Sequence, residues 1–191
     1  LYLSTTTDMT ADEIHELGLA EVARLRGEME KVKEQTGFKG TLEEFFVFMH
    51  TNKKLLLPNN DAGAAEYVKL ADGYLTGMKA KLPEYFGILP KADLVVKRVE
   101  PFREQPGAAQ HYMAGTPDGS RPGVFYAHLS DMNAMPTYQL ENIAYHEGLP
   151  GHHMQISIQQ ELEAETDPAK RLPKFRTQYG YTAYSEGWGL Y

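Results

Sequence analysis

The sequence predicts an α+β fold, mostly helical, with a small antiparallel sheet beside a helix that carries a metal site. Three observations predict it. The first third holds two capping-box signatures ahead of helical runs, the middle turns β-branched and aromatic around turn motifs, and the last third regains helical spacing.

Thr10, with Glu13 three residues on, opens the first helix, along which Ile14, Leu17, Val22, Leu25, Met29 and Val32 keep roughly helical spacing until Gly37. Thr41 and Glu44 repeat the signature before LEEFFVFMH. A third helix is expected over AGAAEYVKLADGYLTGMKAKL, ending at Pro83, whose ring removes a backbone donor. The charged residues of these runs belong on solvated faces. ADLVVKRVE and GVFYAHL read as strands, and GTPDGSRPG between QHYM and the second of them is turn chemistry. PTYQLENIAYHE returns to helical spacing through Tyr138, Leu140, Ile143 and Ala144, and a last helical stretch is expected to include YGYTAYSEGWGLY. There is no repeat, low-complexity tract or linker. One domain over 1–191 is therefore expected, with helices in 1–90, the sheet in 91–130 and metal-site helices in 131–191, as part of a larger catalytic domain.

Lys plus Arg is 19 and Asp plus Glu is 26, a formal charge of −7, which argues against a nucleic-acid-binding face or a basic membrane-surface helix. No apolar run is long enough to span a bilayer. The chain has no cysteine, so any metal must be held by His and carboxylates. It opens on LYLSTTTD without a Met and stops at SEGWGLY, so both ends are expected to be cuts through a longer protein.

Chemistry concentrates in YHEGLPGHHMQ, residues 145–155, which holds His146, His152 and His153. Neutral imidazoles are good zinc ligands, and a catalytic zinc takes three protein ligands. In His146-Glu147 the His is expected to bind metal, while Glu147 stands ready as the general base toward water. On an ideal helix of about 100° per residue, His152 falls about 120° from His146. His153 falls only about 20° away but about 10 Å further along the axis, an awkward reach for one ion. The helix is not expected to be ideal. Pro150 lacks the N–H that would bond the His146 carbonyl and clashes with that carbonyl, and Gly151 tolerates the distortion. A widened turn absorbing about two residues brings His152 to the usual second-ligand position, with His153 as the alternative. The competing reading ends the helix at PGHH, with both imidazoles on its free carbonyls. Glu186 in YSEGWGLY is a candidate third ligand, in competition with Glu141, Glu161, Glu163 and Glu165.

Together, HEGLPGHHMQ and YSEGWGLY resemble two motifs of the bacterial domain of unknown function 885 family: His-Glu-x-x-Pro-Gly-His-His-x-Gln and a downstream Tyr-x-Glu-Gly-Trp-Ala-Leu-Tyr. TTTDMTADEIHELGLAEVARL resembles the start of that family's C-terminal half, so the likeness covers most of the chain. Gly189 stands where Ala is usual, a small departure with no expected chemical consequence. The family is thought to be related to the gluzincin zinc peptidases, which include the thermostable carboxypeptidases and angiotensin-converting enzyme. The resemblance implies a gluzincin-like fold and one zinc ion held by His146, His152 and Glu186, with Glu147 as general base. It also implies an edge strand that holds extended substrate, for which GVFYAHL is the natural candidate. An oxyanion donor besides zinc is expected among His153, Tyr179, Tyr181 and Tyr184, with His153 and Tyr184 preferred.

The function expected is zinc-dependent hydrolysis of a peptide bond or other amide substrate. The alternatives are a non-catalytic metal-binding fragment and a zinc amidase acting on a non-peptide amide. Many relatives look like exported lipoproteins, so export is expected of the parent protein. The oligomeric state is not predicted.

Overall fold

The computed structural model describes residues 1–191, apart from the side chain of Thr177. It divides into two compact units, Leu1–Lys53 and Lys54–Tyr191.

The first unit is helical: α1 (Tyr2–Thr5), α2 (Ala11–Gln35) and α3 (Leu42–Thr51). Both expected capping boxes form. The Glu13 N–H donates to Thr10 Oγ1 at 3.2 Å while the Thr10 N–H donates to Glu13 Oε2 at 2.7 Å, and Thr41 and Glu44 make the same pair of bonds at 3.2 and 2.8 Å. The α2 helix gives way at Gly37, which adopts φ +78°, a left-handed conformation that glycine reaches without a Cβ penalty. Leu42 and Phe45 are buried on α3, where the Phe38, Phe45 and Phe48 rings pack with centroids 5.2–6.4 Å apart.

The second unit is built on α4 (Asp61–Tyr85), capped by the Asn60 side chain, which accepts from the Gly63 N–H at 3.0 Å. The helix does not stop at Pro83 but runs two residues beyond it. Leu82 is buried, and its carbonyl still accepts the Phe86 N–H at 2.9 Å, so only the final turn tolerates the missing donor. Strands β1 (Leu94–Arg98), β2 (His111–Met113) and β3 (Gly123–Ala127) follow, then α5 (Thr137–Glu147), α6 (His152–Glu163), α7 (Lys174–Gln178) and α8 (Thr182–Leu190).

The sheet is mixed rather than antiparallel. Its order is β1-β3-β2, with Leu94 beside Gly123 in the parallel pair and Tyr112 opposite Phe125 in the antiparallel one. The long excursion between β1 and β3 contains β2 and returns the chain in the direction in which it started, so β1 and β3 end up parallel. GVFYAHL is consequently no edge strand. β3 lies between its two neighbours with all five residues buried, and the edges belong to β1 and β2. One core joins Tyr67, Ala71 and Leu75 of α4 to Phe125 and Ala127 of β3, Leu140 and Ala144 of α5, and Met154 of α6.

Arg98 ties this unit together. It donates to Asp61 at 2.7 Å and, through two nitrogens, to the buried Glu104 at 2.9 and 2.8 Å. Among the described residues, no helix is long and apolar enough to cross a membrane.

Candidate metal centre

The Pro-Gly spacer breaks the helix. α5 ends at Glu147, and Gly148 leaves helical geometry at φ −105° and ψ −108°. The chain then folds back on the last turn it made. The Gly151 N–H donates to the Tyr145 carbonyl at 2.9 Å, and the His153 N–H donates to Gly148 at 3.1 Å as α6 begins. Only glycine fits at 151, because a Cβ there would stand 1.9 Å from the carbonyl oxygen of His146.

This fold-back sets the His146 and His152 rings 4.7 Å apart, nearly perpendicular at 83°. Glu186 comes to them from α8. Its Oε2 lies 3.4 Å from His146 Nε2 and its Oε1 lies 3.6 Å from His152 Nε2. The three residues offer one donor atom each, all within 4.8 Å of one another. A tetrahedral ion bound at about 2.1 Å separates its donors by about 3.4 Å. The nitrogen–carboxylate separations already approach that, and the set suits a zinc-sized ion once its widest pair closes by up to about 1.4 Å. His152 Nδ1 lies 3.2 Å from Gln155 Oε1. An Nδ1–H donated to that amide oxygen leaves the Nε2 lone pair facing the site, the usual way an outer hydrogen bond sets a ligand's tautomer.

Glu147 ends α5 beside this cluster and is 7% exposed. Burial pushes its carboxyl up to about 7. The Glu186 carboxylate adds to the rise, while His152 and the Tyr112 backbone N–H oppose it. A carboxyl poised near neutrality is suited to taking and returning a proton. Glu147 and His146 open onto a cleft of about 340 Å³ whose walls include Ala108, Ala109, Met135 and Asn142. Ala108 and Ala109 belong to the segment leading into the edge strand β2.

The other candidates sit elsewhere. His153 is 1% exposed and spends both ring nitrogens away from the cluster: Nε2 on the Ala92 carbonyl at 3.1 Å, and Nδ1 on the Tyr112 hydroxyl at 3.0 Å. Burial lowers its pKa, so it is held neutral. Tyr184 is exposed, two residues before Glu186 and therefore on roughly the opposite face of α8, with the Arg176 guanidinium over its ring at 5.6 Å. Tyr179 is exposed as well. Glu141 accepts from the Tyr145 hydroxyl, Glu161 from the Lys91 N–H, and Glu163 from Gln159. Glu165 accepts from the N–H groups of Thr166 and Asp167.

Sequence reasoning missed Gln155, Trp188 and Gly189. The Trp188 indole N–H donates to the Pro150 carbonyl at 2.8 Å. Gly189 lies under His146, where a Cβ would come within 2.8 Å of the imidazole. The family's usual Ala therefore does not fit here without a shift, and the Gly-for-Ala departure bears directly on a candidate ligand. All three residues stand in the two motifs that prompted the resemblance, which was the available signal.

A family model described as "Bacterial protein of unknown function (DUF885)" matches residues 1–191. The chain belongs to the DUF885 family. Among solved structures it is similar to one described as "the putative lipoprotein from Colwellia psychrerythraea", with a TM-score of 0.88 and 32% identity. That match covers 99% of this chain and 31% of the other, so the chain spans about a third of the solved relative's length. No curated protein matches this DUF885 member.

Proposed function

We propose that this DUF885 chain carries the centre of a zinc-dependent amide hydrolase of the metallopeptidase type, related to the gluzincin peptidases. One observation carries the reading. A two-histidine, one-carboxylate donor set stands directly beside a buried carboxyl that is not part of it. Structural zinc sites are closed by four protein ligands, whereas catalytic ones keep three and an open position. His146, His152 and Glu186 would hold the zinc ion, which would supply Lewis acidity and lower the pKa of a bound water toward neutrality. Glu147, adjacent to the donors and held near neutral pKa by burial, accepts the proton of the attacking water and returns it to the leaving amine. The cleft along Ala108 and Ala109 receives the substrate, and the edge strand β2 offers its backbone to an extended chain. The lipoprotein description of the solved relative supports an exported parent protein.

The test is Glu147→Gln in the zinc-loaded protein. Peptide hydrolysis is expected to fall by at least about a hundredfold, the scale of general acid–base catalysis, with one zinc per chain retained. Full hydrolysis by the variant would refute the assigned base. A substrate panel containing peptides and non-peptide amides separates peptidase from amidase action.

A further inference from the structure

The three donors come from two parts of the chain that no covalent constraint holds together. His146 and His152 flank one turn, and Glu186 must be delivered by α8. That helix has little to deliver it with. No residue of α8 is buried, and no side chain caps its N-terminus. Its specific tie to the histidine turn is the Trp188 indole on the Pro150 carbonyl at 2.8 Å. The ring also packs edge-on against Phe86, with centroids 6.3 Å apart.

The helix break creates the acceptor. In a continuous helix the Pro150 carbonyl would take the Met154 N–H, but that N–H turns to the Gly148 carbonyl at 3.4 Å. A buried or half-buried carbonyl left unpaired is costly, so an indole donor aimed at it has real value. Trp188 is two residues from Glu186, so the point that anchors α8 lies close to the carboxylate. Gly189 completes the fit by letting the helix backbone approach the His146 ring.

We infer that Trp188 is the positioning residue of the centre. It docks α8 on the Pro150 carbonyl, sets Glu186 against the two imidazoles, and thereby couples metal binding to α8 docking. This rests on reading His146, His152 and Glu186 as a zinc site. Trp188 touches neither the ion's position nor substrate, and it acts only through Glu186. Linkage then requires reciprocity: by whatever factor a docked Trp188 raises zinc affinity, zinc raises the docking equilibrium.

The experiment uses zinc and the chain's single tryptophan. Zinc affinity is measured by calorimetry for the wild type, Trp188→Phe, Glu186→Gln and the double variant. Trp188→Phe keeps a ring but loses the donor, and is expected to cost about 10- to 100-fold in affinity, the scale found for outer partners of metal ligands. With Glu186 already removed, Trp188→Phe is expected to cost almost nothing more, because no ligand remains for it to position. Additive losses would overturn the inference, since they would mark Trp188 as a general stabiliser. So would a Trp188→Phe variant that binds zinc as tightly as the wild type.

A second readout needs no tryptophan variant. Acrylamide quenching of Trp188 is expected to fall when zinc is added to the wild type and to stay unchanged in Glu186→Gln. Zinc binding without protection of the indole in the wild type would also overturn it. Failure of the wild type to bind zinc stoichiometrically would instead remove the metal-site reading beneath it.

Discussion

Gly151→Ala puts the spacer itself to the test. A Cβ at 151 would lie 1.9 Å from the His146 carbonyl oxygen, 2.4 Å from that of Tyr145 and 2.5 Å from the His146 carbonyl carbon. Carbon and oxygen approach to about 3.3 Å, so the turn must retreat by roughly 1.4 Å. The obstructing atoms are the backbone of α5's last turn, and no side chain can swing aside to make room. Retreat breaks the Gly151 bond to Tyr145 and loosens the His153 bond to Gly148. At about 1 kcal/mol for each bond and a further 1–3 kcal/mol or so of overpacking, the variant is expected to lose about 3–5 kcal/mol. For a chain of 191 residues that corresponds to a melting temperature lower by about 6–20 °C. His152 rides on the same turn, and a displacement near 1.4 Å is several times the roughly 0.2 Å that ligand distances tolerate. Zinc affinity is therefore expected to fall well beyond tenfold. Thermal melts followed by circular dichroism and a zinc titration check both numbers. A variant that melts within 2 °C or so of the wild type and keeps its zinc affinity would refute the fold-back turn and the ligand geometry built on it.

Other perturbations probe other parts of the argument. Gly189→Ala pushes on the free end of the His146 side chain rather than on backbone, so zinc affinity is expected to drop severalfold with little change in melting temperature; unaltered calorimetry would mean that α8 backs away instead. Tyr112→Phe removes the 3.0 Å hydroxyl bond to buried His153 and is expected to cost about 1–2 kcal/mol in urea unfolding while leaving the zinc constant alone; a large change in zinc binding would return His153 to the site. The Arg98 hydrogen bonds hold the Glu104 carboxyl below its ordinary value. A depressed folded-state pKa gives stability that is fully present above the unfolded value of about 4.3 and is lost as pH falls through the folded value. Unfolding between pH 6 and 2 or so should show that loss in the wild type and a flatter profile in Glu104→Gln; identical slopes would remove Glu104 from the acid response.

Local chemistry was legible wherever one segment decides its own conformation. The Thr10 and Thr41 caps and the Gly37 stop depend on neighbours three residues away, and each forms as expected. Strand direction depends on where a chain goes after leaving the sheet, so the parallel pairing of β1 with β3 left no mark in either strand's pattern. Periodicity likewise announced α2 as a helix without saying what covers its apolar stripe, and Leu17, Val22, Leu25, Met29 and Val32 are exposed. At the candidate metal centre the same division holds. Pro150 and Gly151 implied a broken turn that moves His152 toward His146, because both effects are local. The meeting of Glu186 with that turn lies beyond local reasoning and came from resemblance alone.

The break also explains why the two motifs belong together. A His-Glu-x-x-His helix keeps its carbonyls in its own ladder and offers nothing to a neighbouring helix. Here the spacer that displaces the second histidine also turns the Pro150 carbonyl out of the ladder, where the Trp188 indole meets it. On this reading, an unusual spacing on one helix and a tryptophan two residues past the third ligand are one device, and changing either alone should spoil the site.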